Sequence, residues 1–99
     1  MKKIMLVCSA GMSTSLLVTK MEQAAEKVGD EVEIFALPMS DGINRLSTVD
    51  CVLLGPQVRF NLGKIKEEAA KVNPGLPVDV IDMMNGEKVY NYAKKLMDE

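Results

Sequence analysis

The chain has 99 residues, of which 47% are hydrophobic, and its 12 Lys and Arg against 14 Asp and Glu give a formal net charge of -2. This length and apolar fraction predict one compact domain over residues 1–99 and argue against intrinsic disorder. The interspersed charges offer no basic stripe for a nucleic-acid backbone, and no apolar run approaches the roughly 20 residues of a membrane span. We therefore expect a cytoplasmic protein with no nucleic-acid partner and no membrane insertion of its own.

The first predicted elements are a strand, a loop and a helix. Residues 4–7 form a continuous apolar run, which is typical of a strand covered on both faces in a parallel sheet. Residues 8–15 are small or polar, and their closing hydroxyl residues favour a helix that begins near Ser15 and ends at Gly29. The predicted buried stripe of this helix is Leu17, Met21, Ala24 and Val28.

Two further strands are predicted in the middle of the chain. Residues 32–37 are predicted as a strand that Pro38 ends, and the neighbouring glutamates suit the edge of a sheet. Asp41-Gly42 predicts a turn, followed at most by a short helix over 43–46. Residues 51–54 are a third apolar strand, which Gly55-Pro56 ends.

The remaining chain predicts a helix, a strand and a final helix. Asn73-Pro74-Gly75 ends the first of these helices, a fourth strand lies near 78–81, and Gly86 precedes the last helix. The predicted buried positions are Val58, Leu62, Ile65, Ala69 and Val72 in the first helix, and Val89, Tyr92, Ala93 and Leu96 in the second.

Four strands alternating with four helical segments predict an α/β fold, an open parallel sheet with helices on both faces. In such sheets ligands bind beyond the carboxyl ends of the strands, at the point where the strand order reverses. A strand order of 2-1-3-4 would place the end of the first strand at that point. Segment 8–15 is therefore the predicted functional loop.

The two cysteines and the absence of histidine narrow the chemistry of that loop. Cys8 and Cys51 form no Cys-x-x-Cys motif, and no histidine is present to complete a zinc site. We therefore expect reduced thiols, no metal and no cofactor. Without histidine the chain lacks the commonest general base, which excludes a Ser-His or Cys-His catalytic pair within this chain.

The predicted loop has the composition of an anion-binding site. Backbone N–H groups at the start of a helix converge on an anion, and the helix dipole adds about half a positive charge there. Gly11 relieves the steric cost of a positive φ angle, and no acidic residue occurs before Glu22. The same surroundings favour a thiolate, so we expect Cys8 to be a nucleophile. The predicted phosphate ligands are Ser9, Ala10, Gly11, Met12, Ser13, Thr14 and Ser15.

Residues that this loop lacks favour a phosphoryl carrier over a hydrolase. A hydrolase needs an acid for its leaving group and often an Arg that clamps the phosphoryl oxygens, and residues 8–15 contain neither. A carrier needs a good leaving group on its donor, such as a phosphorylated imidazole, and a phosphocysteine that persists until an acceptor binds. Cys51, which begins a strand, is expected to pack inertly.

The sequence Val-Cys-Ser-Ala-Gly-Met-Ser-Thr-Ser from Val7 to Ser15, with Gly55-Pro56-Gln57-Val58 after the third strand, resembles the lactose/cellobiose-type enzyme IIB components of the bacterial sugar phosphotransferase system. The resemblance implies that a phosphohistidine on enzyme IIA phosphorylates Cys8, which then phosphorylates a sugar held by the membrane component, enzyme IIC. It also implies the phosphate-loop role for residues 9–15, and Gln57 is a secondary candidate. No motif identifies the sugar, so lactose, cellobiose and chitobiose stay open.

Two other functions stay open at this point. The family fold also resembles that of the low-molecular-weight tyrosine phosphatases, whose loop has Arg six positions after its cysteine, where this chain has Thr14. That difference argues against a cysteine-dependent phosphatase, for which Asp79 or Asp82 would be the candidate acid; solvated strand-end or helix-capping roles are expected for both. The second alternative is an anion-binding regulatory module in which Cys8 is unreactive.

The eight methionines are many for this length. Core filling is the ordinary role of such an adaptable side chain, and we expect it of Met21. Four others follow strand ends, where flexible apolar groups could contact enzyme IIA and enzyme IIC in turn. The predicted overlapping contact surface consists of Met12, Met39, Met83 and Met84.

Overall fold

A computed structural model of the protein describes residues 2–8, 14–81 and 85–98. Its strands form one parallel sheet in the order β2-β1-β3-β4, so the predicted order is confirmed, as is the edge position of β2. The strands are β1 (Lys2–Cys8), β2 (Val32–Pro38), β3 (Cys51–Leu54) and β4 (Val78–Val80).

Helical segments follow each strand. Helix α1 (Thr14–Lys27) follows β1, and α4 (Gly86–Asp98) follows β4. The other two connections each combine a 3₁₀ helix with an α-helix: α2 (Met39–Gly42) with a first 3₁₀ helix (Ile43–Thr48), and a second 3₁₀ helix (Pro56–Asn61) with α3 (Leu62–Val72). Within the described ranges, no helix is long and apolar enough to cross a membrane.

The sheet separates two hydrophobic cores, because successive side chains of a strand point to opposite faces. Ile4 and Leu6 of β1 join the core that α1 and α4 cover. Met5 and Val7 join the core under both 3₁₀ helices and α3. Helices therefore cover both faces, as predicted, and β1 contributes to each core.

Helix α1 ends in a Schellman motif. Gly29 has a φ of 79°, and the N–H of Asp30 donates to the carbonyl of Ala25 at 2.9 Å. The predicted stop at Gly29 is confirmed. The prediction that Val28 is buried is wrong, since this side chain is 59% exposed. The reason is that Val28 lies in the turn after the last helical residue, where the helical spacing no longer directs it to the core.

The predicted turn at Asp41-Gly42 is wrong. The chain is already helical from Met39, and Gly42 has an ordinary helical φ of -61°. Gly42 is buried, and a Cβ atom there would lie 3.1 Å from Cγ2 of Val7. A glycine at this position therefore permits the close approach of α2 to β1 rather than a reversal of the chain.

The single helix predicted from Val58 is also wrong. The chain forms the second 3₁₀ helix first, and non-helical angles at Val58 (φ -119°, ψ 18°) interrupt it before α3 begins. Val58, Ile65 and Ala69 are buried as predicted, whereas Val72 is 55% exposed. The kink turns Val58 into the core from a segment that does not share the helix axis of α3.

Helix α4 packs through one more residue than predicted. Val89 and Ala93 are buried, whereas Tyr92 is only partly buried. Tyr90 is buried at 1% exposure, and its hydroxyl donates to Oδ2 of Asp30 at 2.7 Å. This hydrogen bond satisfies the polar end of a buried aromatic side chain and ties α4 to the turn after α1.

Candidate functional site at the carboxyl edge of the sheet

Cys8 is the last residue of β1, in the interior of the sheet. On one side it pairs in register with Pro38, the last residue of β2. On the other side, the N–H of Gly55 donates to the carbonyl of Val7 at 2.8 Å, which places Gly55 beside the end of β1. Strands β2 and β3 lie on opposite sides of β1, so the strand order reverses at β1. The backbone of Cys8 therefore lies where ligands bind in sheets of this kind.

Helix α1 begins at Thr14, at the same edge of the sheet. Its first turn has no acidic residue, so the positive end of its dipole is not neutralised by a carboxylate of that turn. Ser9, Ala10, Gly11, Met12 and Ser13 lie outside the described residues, as do the side chains of Cys8, Thr14 and Ser15. The phosphate-binding role predicted for this loop stays a prediction.

The second 3₁₀ helix begins beside the end of β1. Gly55 is extended, and its carbonyl accepts a hydrogen bond from the N–H of Val58 at 3.0 Å. The backbone of Gln57 belongs to this 3₁₀ helix, and its side chain lies outside the described part of the chain. The structure therefore brings Gln57 to the predicted edge, and its role stays a prediction.

Two exposed apolar side chains at this edge were not singled out by the sequence. Phe60 of the second 3₁₀ helix is 81% exposed, and Leu16 in the first turn of α1 is 63% exposed. Both fall outside the predicted buried stripes of their segments. That mismatch, a large apolar residue on the polar side of an amphipathic segment, is the signal that could have identified them.

Cys51 lies at the other end of the strands from Cys8. It is the first residue of β3, so it lies at the opposite edge of the sheet, and it is fully buried. Burial raises the pKa of its thiol to about 12, and the nearby carboxylates of Asp79 and Asp50 add to the effect. The thiol is therefore protonated at neutral pH. The predicted packing of Cys51 in the core is confirmed, and its lack of reactivity stays a prediction.

Asp79 is held by hydrogen bonds within the fold. Its Oδ1 accepts from the N–H of Val80 at 2.8 Å, and the hydroxyl of Tyr92 donates to its Oδ2. Asp79 is the partly buried middle residue of β4, so the expected solvated strand-end or helix-capping role is wrong for it, while Asp82 lies outside the described residues. In the ranges that the structure describes, no cluster of His, Cys, Asp or Glu could hold a metal ion.

The methionines divide in part as expected. Met21 is fully buried, which confirms its core role. Met39 begins α2 at the carboxyl edge and is partly buried against the second core. Met12, Met83 and Met84 lie outside the described residues, so the overlapping contact surface predicted for them is not tested.

Comparison with known proteins agrees with this architecture. The oligo-beta-mannoside-specific EIIB component of Bacillus subtilis (strain 168) is 45% identical, covering 98% of this chain and 97% of that protein. The galactose-specific EIIB component of Lactococcus lactis subsp. cremoris (strain MG1363) is also 45% identical, with the same coverage of each chain. The solution structure of the cellobiose-specific IIB component from Borrelia burgdorferi superposes with a TM-score of 0.77 at 35% identity, covering 98% of this chain and 92% of that one.

The family comparison spans nearly the whole chain. The model of the lactose/cellobiose-specific IIB subunits of the phosphotransferase system matches residues 3–98. Together with the fold and the two relatives of equal identity, this match places the chain: it belongs to the lactose/cellobiose-specific IIB family of the sugar phosphotransferase system.

Proposed function

We propose that this chain is a cytoplasmic phosphocarrier that uses Cys8 as a covalent nucleophile. It accepts a phosphoryl group from a phosphohistidine of enzyme IIA and transfers it to a β-linked disaccharide bound by enzyme IIC. In enzymatic terms the activity is that of a protein-phosphohistidine–sugar phosphotransferase working through phosphocysteine. Residues 9–15 hold the phosphoryl oxygens, with Gln57 as a secondary contact.

The observation that carries the proposal is the position of the backbone of Cys8. It ends an interior strand between the ends of β2 and β3, and α1 begins nearby with no acidic residue in its first turn. A helix N-terminus favours a thiolate and a bound phosphoryl group for the same electrostatic reason. One edge of the sheet thus suits both the nucleophile and the group that it carries.

The two transfer steps balance without a metal or an internal base. In the first, the sulfur of Cys8 attacks phosphorus, the S–P bond forms as the N–P bond of phosphohistidine breaks, and the imidazole leaves with the proton that the thiol released. In the second, a sugar hydroxyl oxygen attacks the same phosphorus. The O–P bond forms, the S–P bond breaks, and the hydroxyl proton passes to the departing thiolate of Cys8.

The sugar is proposed as cellobiose, chitobiose or lactose on the basis of family membership. The cellobiose-specific structural relative supports a sugar of this type, whereas the galactose-specific relative is named for a monosaccharide. An oligo-beta-mannoside-specific and a galactose-specific component are equally similar to this chain. Overall identity is therefore a poor guide to the sugar, and direct assay with enzyme IIC and each candidate sugar decides it.

The decisive experiment locates the phosphoryl group. The chain is incubated with phosphorylated enzyme IIA, digested at a pH that preserves phosphocysteine, and analysed by mass spectrometry. We expect an added phosphoryl group on the Cys8 peptide, its loss in Cys8→Ser, and its retention in the matched control Cys51→Ala. Hydrolysis of aryl phosphates is measured in parallel, and we expect no substantial turnover.

Three outcomes would contradict the proposal. Phosphorylation of the Cys8→Ser variant at the native level would exclude Cys8 as the nucleophile. Substantial turnover of aryl phosphates would favour the phosphatase alternative. Binding of inorganic phosphate by a chain whose Cys8 is unreactive would favour the anion-binding regulatory module.

A further inference from the structure

We infer that Leu16, Arg59 and Phe60, here called the rim patch, form a docking surface for the phosphorylated form of enzyme IIA. The inference rests on the proposed function and adds to it the residues and the charge state that bring the donor to Cys8. Leu16 belongs to the first turn of α1, and the other two belong to the second 3₁₀ helix.

The two elements that carry the rim patch flank the end of β1 from opposite faces of the sheet. Leu16 precedes Leu17, which is buried in the core that α1 and α4 cover. Phe60 and Arg59 follow Val58, which is buried in the other core with Val7. Since α1 and the second 3₁₀ helix both begin at the carboxyl edge, a partner that reaches Cys8 meets both elements.

The exposure of the rim patch is unusual within this chain. Phe60 is 81% exposed and Leu16 is 63% exposed, and the other large apolar side chains that the described ranges leave exposed are Val28 and Val72. Val28 lies in the turn after α1 and Val72 is the last residue of α3, so both lie toward the opposite edge of the sheet. Covering a phenylalanine side chain contributes about 1.5–3 kcal/mol, so Phe60 has the size of an interface anchor.

Charge selects enzyme IIA over enzyme IIC as the occupant. From Cys51 to Lys66 the chain has no acidic residue, and Arg59 has no carboxylate partner among the described side chains. A phosphorylated side chain brings a charge of roughly -2 to its own interface, whereas a sugar is neutral. Arg59 therefore favours the phosphorylated donor. After transfer the negative charge belongs to this chain, and the attraction that recruited the donor is lost.

The test measures binding without transfer. A Cys8→Ser background keeps the donor phosphorylated, and titration calorimetry compares phosphorylated with unphosphorylated enzyme IIA at several salt concentrations. We expect Phe60→Ala to weaken binding of both forms by about 10-fold or more. Arg59→Gln should weaken binding of the phosphorylated form by about 3- to 10-fold, affect the unphosphorylated form less, and flatten the salt dependence.

Matched substitutions at the opposite edge serve as controls. Val28→Ala removes an exposed apolar side chain from the turn after α1, and Lys2→Gln removes an exposed cation from the first residue of β1. Both should bind enzyme IIA like the Cys8→Ser parent. Because Phe60 is exposed, its replacement should leave the melting temperature unchanged, which separates docking from folding.

The outcomes for the inference and for the proposed function differ. Native-like binding of phosphorylated enzyme IIA by both Phe60→Ala and Arg59→Gln would overturn the inference, even if Cys8 is phosphorylated normally. Intact donor binding combined with slow sugar phosphorylation in vesicles containing enzyme IIC would also overturn it, because the rim patch would then serve the acceptor. Absence of phosphoryl transfer to Cys8 in the native chain would overturn both proposals.

Discussion

At the amino ends of the strands, polar groups bond to one another, whereas elements that begin at the carboxyl ends carry the exposed side chains of Leu16 and Phe60. Lys3 and Asp50 bond reciprocally across the amino edge: the N–H of Lys3 donates to Oδ2 of Asp50, and the N–H of Asp50 to the carbonyl of Lys3, both at 2.8 Å. The amide of Asn73 donates to the carbonyls of Leu46 at 3.0 Å and Val49 at 3.1 Å.

The carboxyl edge has a different character. It holds the backbone of Cys8, the kinked 3₁₀ helix and the exposed side chain of Phe60. Under the proposed function, hydrogen bonds at one edge stabilise the sheet and the other edge receives the partners. Removal of a hydrogen bond at the amino edge should therefore lower stability, and removal of an exposed side chain at the carboxyl edge should change transfer.

The largest expected difference between the two edges is in the reactivity of their cysteine thiols. Raising the pKa of Cys51 from its ordinary 9.0 to about 12 leaves roughly a thousandfold less thiolate at neutral pH, and burial further limits access of a reagent. Iodoacetamide followed by peptide mass spectrometry should therefore label Cys8 rapidly and Cys51 only after denaturation. Inorganic phosphate should slow labelling of Cys8. Faster labelling of Cys51 in the native chain would break the comparison between the two edges.

Gly86 begins α4 at the carboxyl edge, and its replacement tests whether close packing there also contributes to stability. A Cβ atom at this first residue of α4 would lie 2.8 Å from the backbone carbonyl carbon of Lys20, so α4 must move away from α1. We expect Gly86→Ala to lower the free energy of unfolding by about 2–3 kcal/mol in urea denaturation. Gly63→Ala is the matched control, since a Cβ atom there meets nothing within 4 Å. It should stabilise α3 by about 0.5 kcal/mol, and equal effects of the two substitutions would contradict this packing.

The contact between Tyr90 and Asp30 sharpens the role of the amino edge. Tyr90→Phe removes the hydroxyl that donates to the carboxylate of Asp30 and leaves the ring in place. We expect a loss of about 1–2 kcal/mol in the free energy of unfolding, with unchanged phosphoryl transfer. Thermal denaturation and the transfer assay measure the two effects separately. A large fall in transfer at unchanged stability would assign this contact to function instead.

The smallest expected effect is a dependence of stability on acid. Hydrogen bonds from Lys94 and then Tyr90 lower the pKa of Asp30 below its ordinary value. The carboxylate therefore contributes stability above the unfolded pKa of about 4, and that contribution is lost as the pH falls through the lower folded value. Melting temperatures from pH 7 down to pH 3 should fall less steeply for Asp30→Asn. Parallel curves for the two chains would show that Asp30 contributes nothing.

The strands and their order could be predicted because each strand has its own local signal. Residues 4–7 and 51–54 are continuous apolar runs, and both are fully buried strands in the structure. The place of Cys8 followed from that order and from general rules of parallel sheets. The strands themselves depend on residues near one another in sequence, which a single sequence reports well, whereas their order agrees with the connection rules of parallel sheets.

The errors arose where tertiary contacts decide the local structure. Asp41-Gly42 has the composition of a turn, but its glycine is needed for close packing against Val7. Tyr90 was missed because its hydroxyl partner, Asp30, lies 60 residues away in sequence. The kink at Val58 likewise places one side chain in the core while interrupting a helical pattern that the sequence continues. None of these contacts is visible in a local window.

The alternation of side chains along β1 has a consequence for engineering. Ile4 and Leu6 belong to one interior, Met5 and Val7 to the other, and the buried members of the two interiors do not overlap. A graft that exchanges one complete layer, the two 3₁₀ segments with α2 and α3, for that of a related carrier should therefore leave the opposite layer's packing intact. Such chimeras would exchange the partner preference and keep β1, the strand that ends at Cys8.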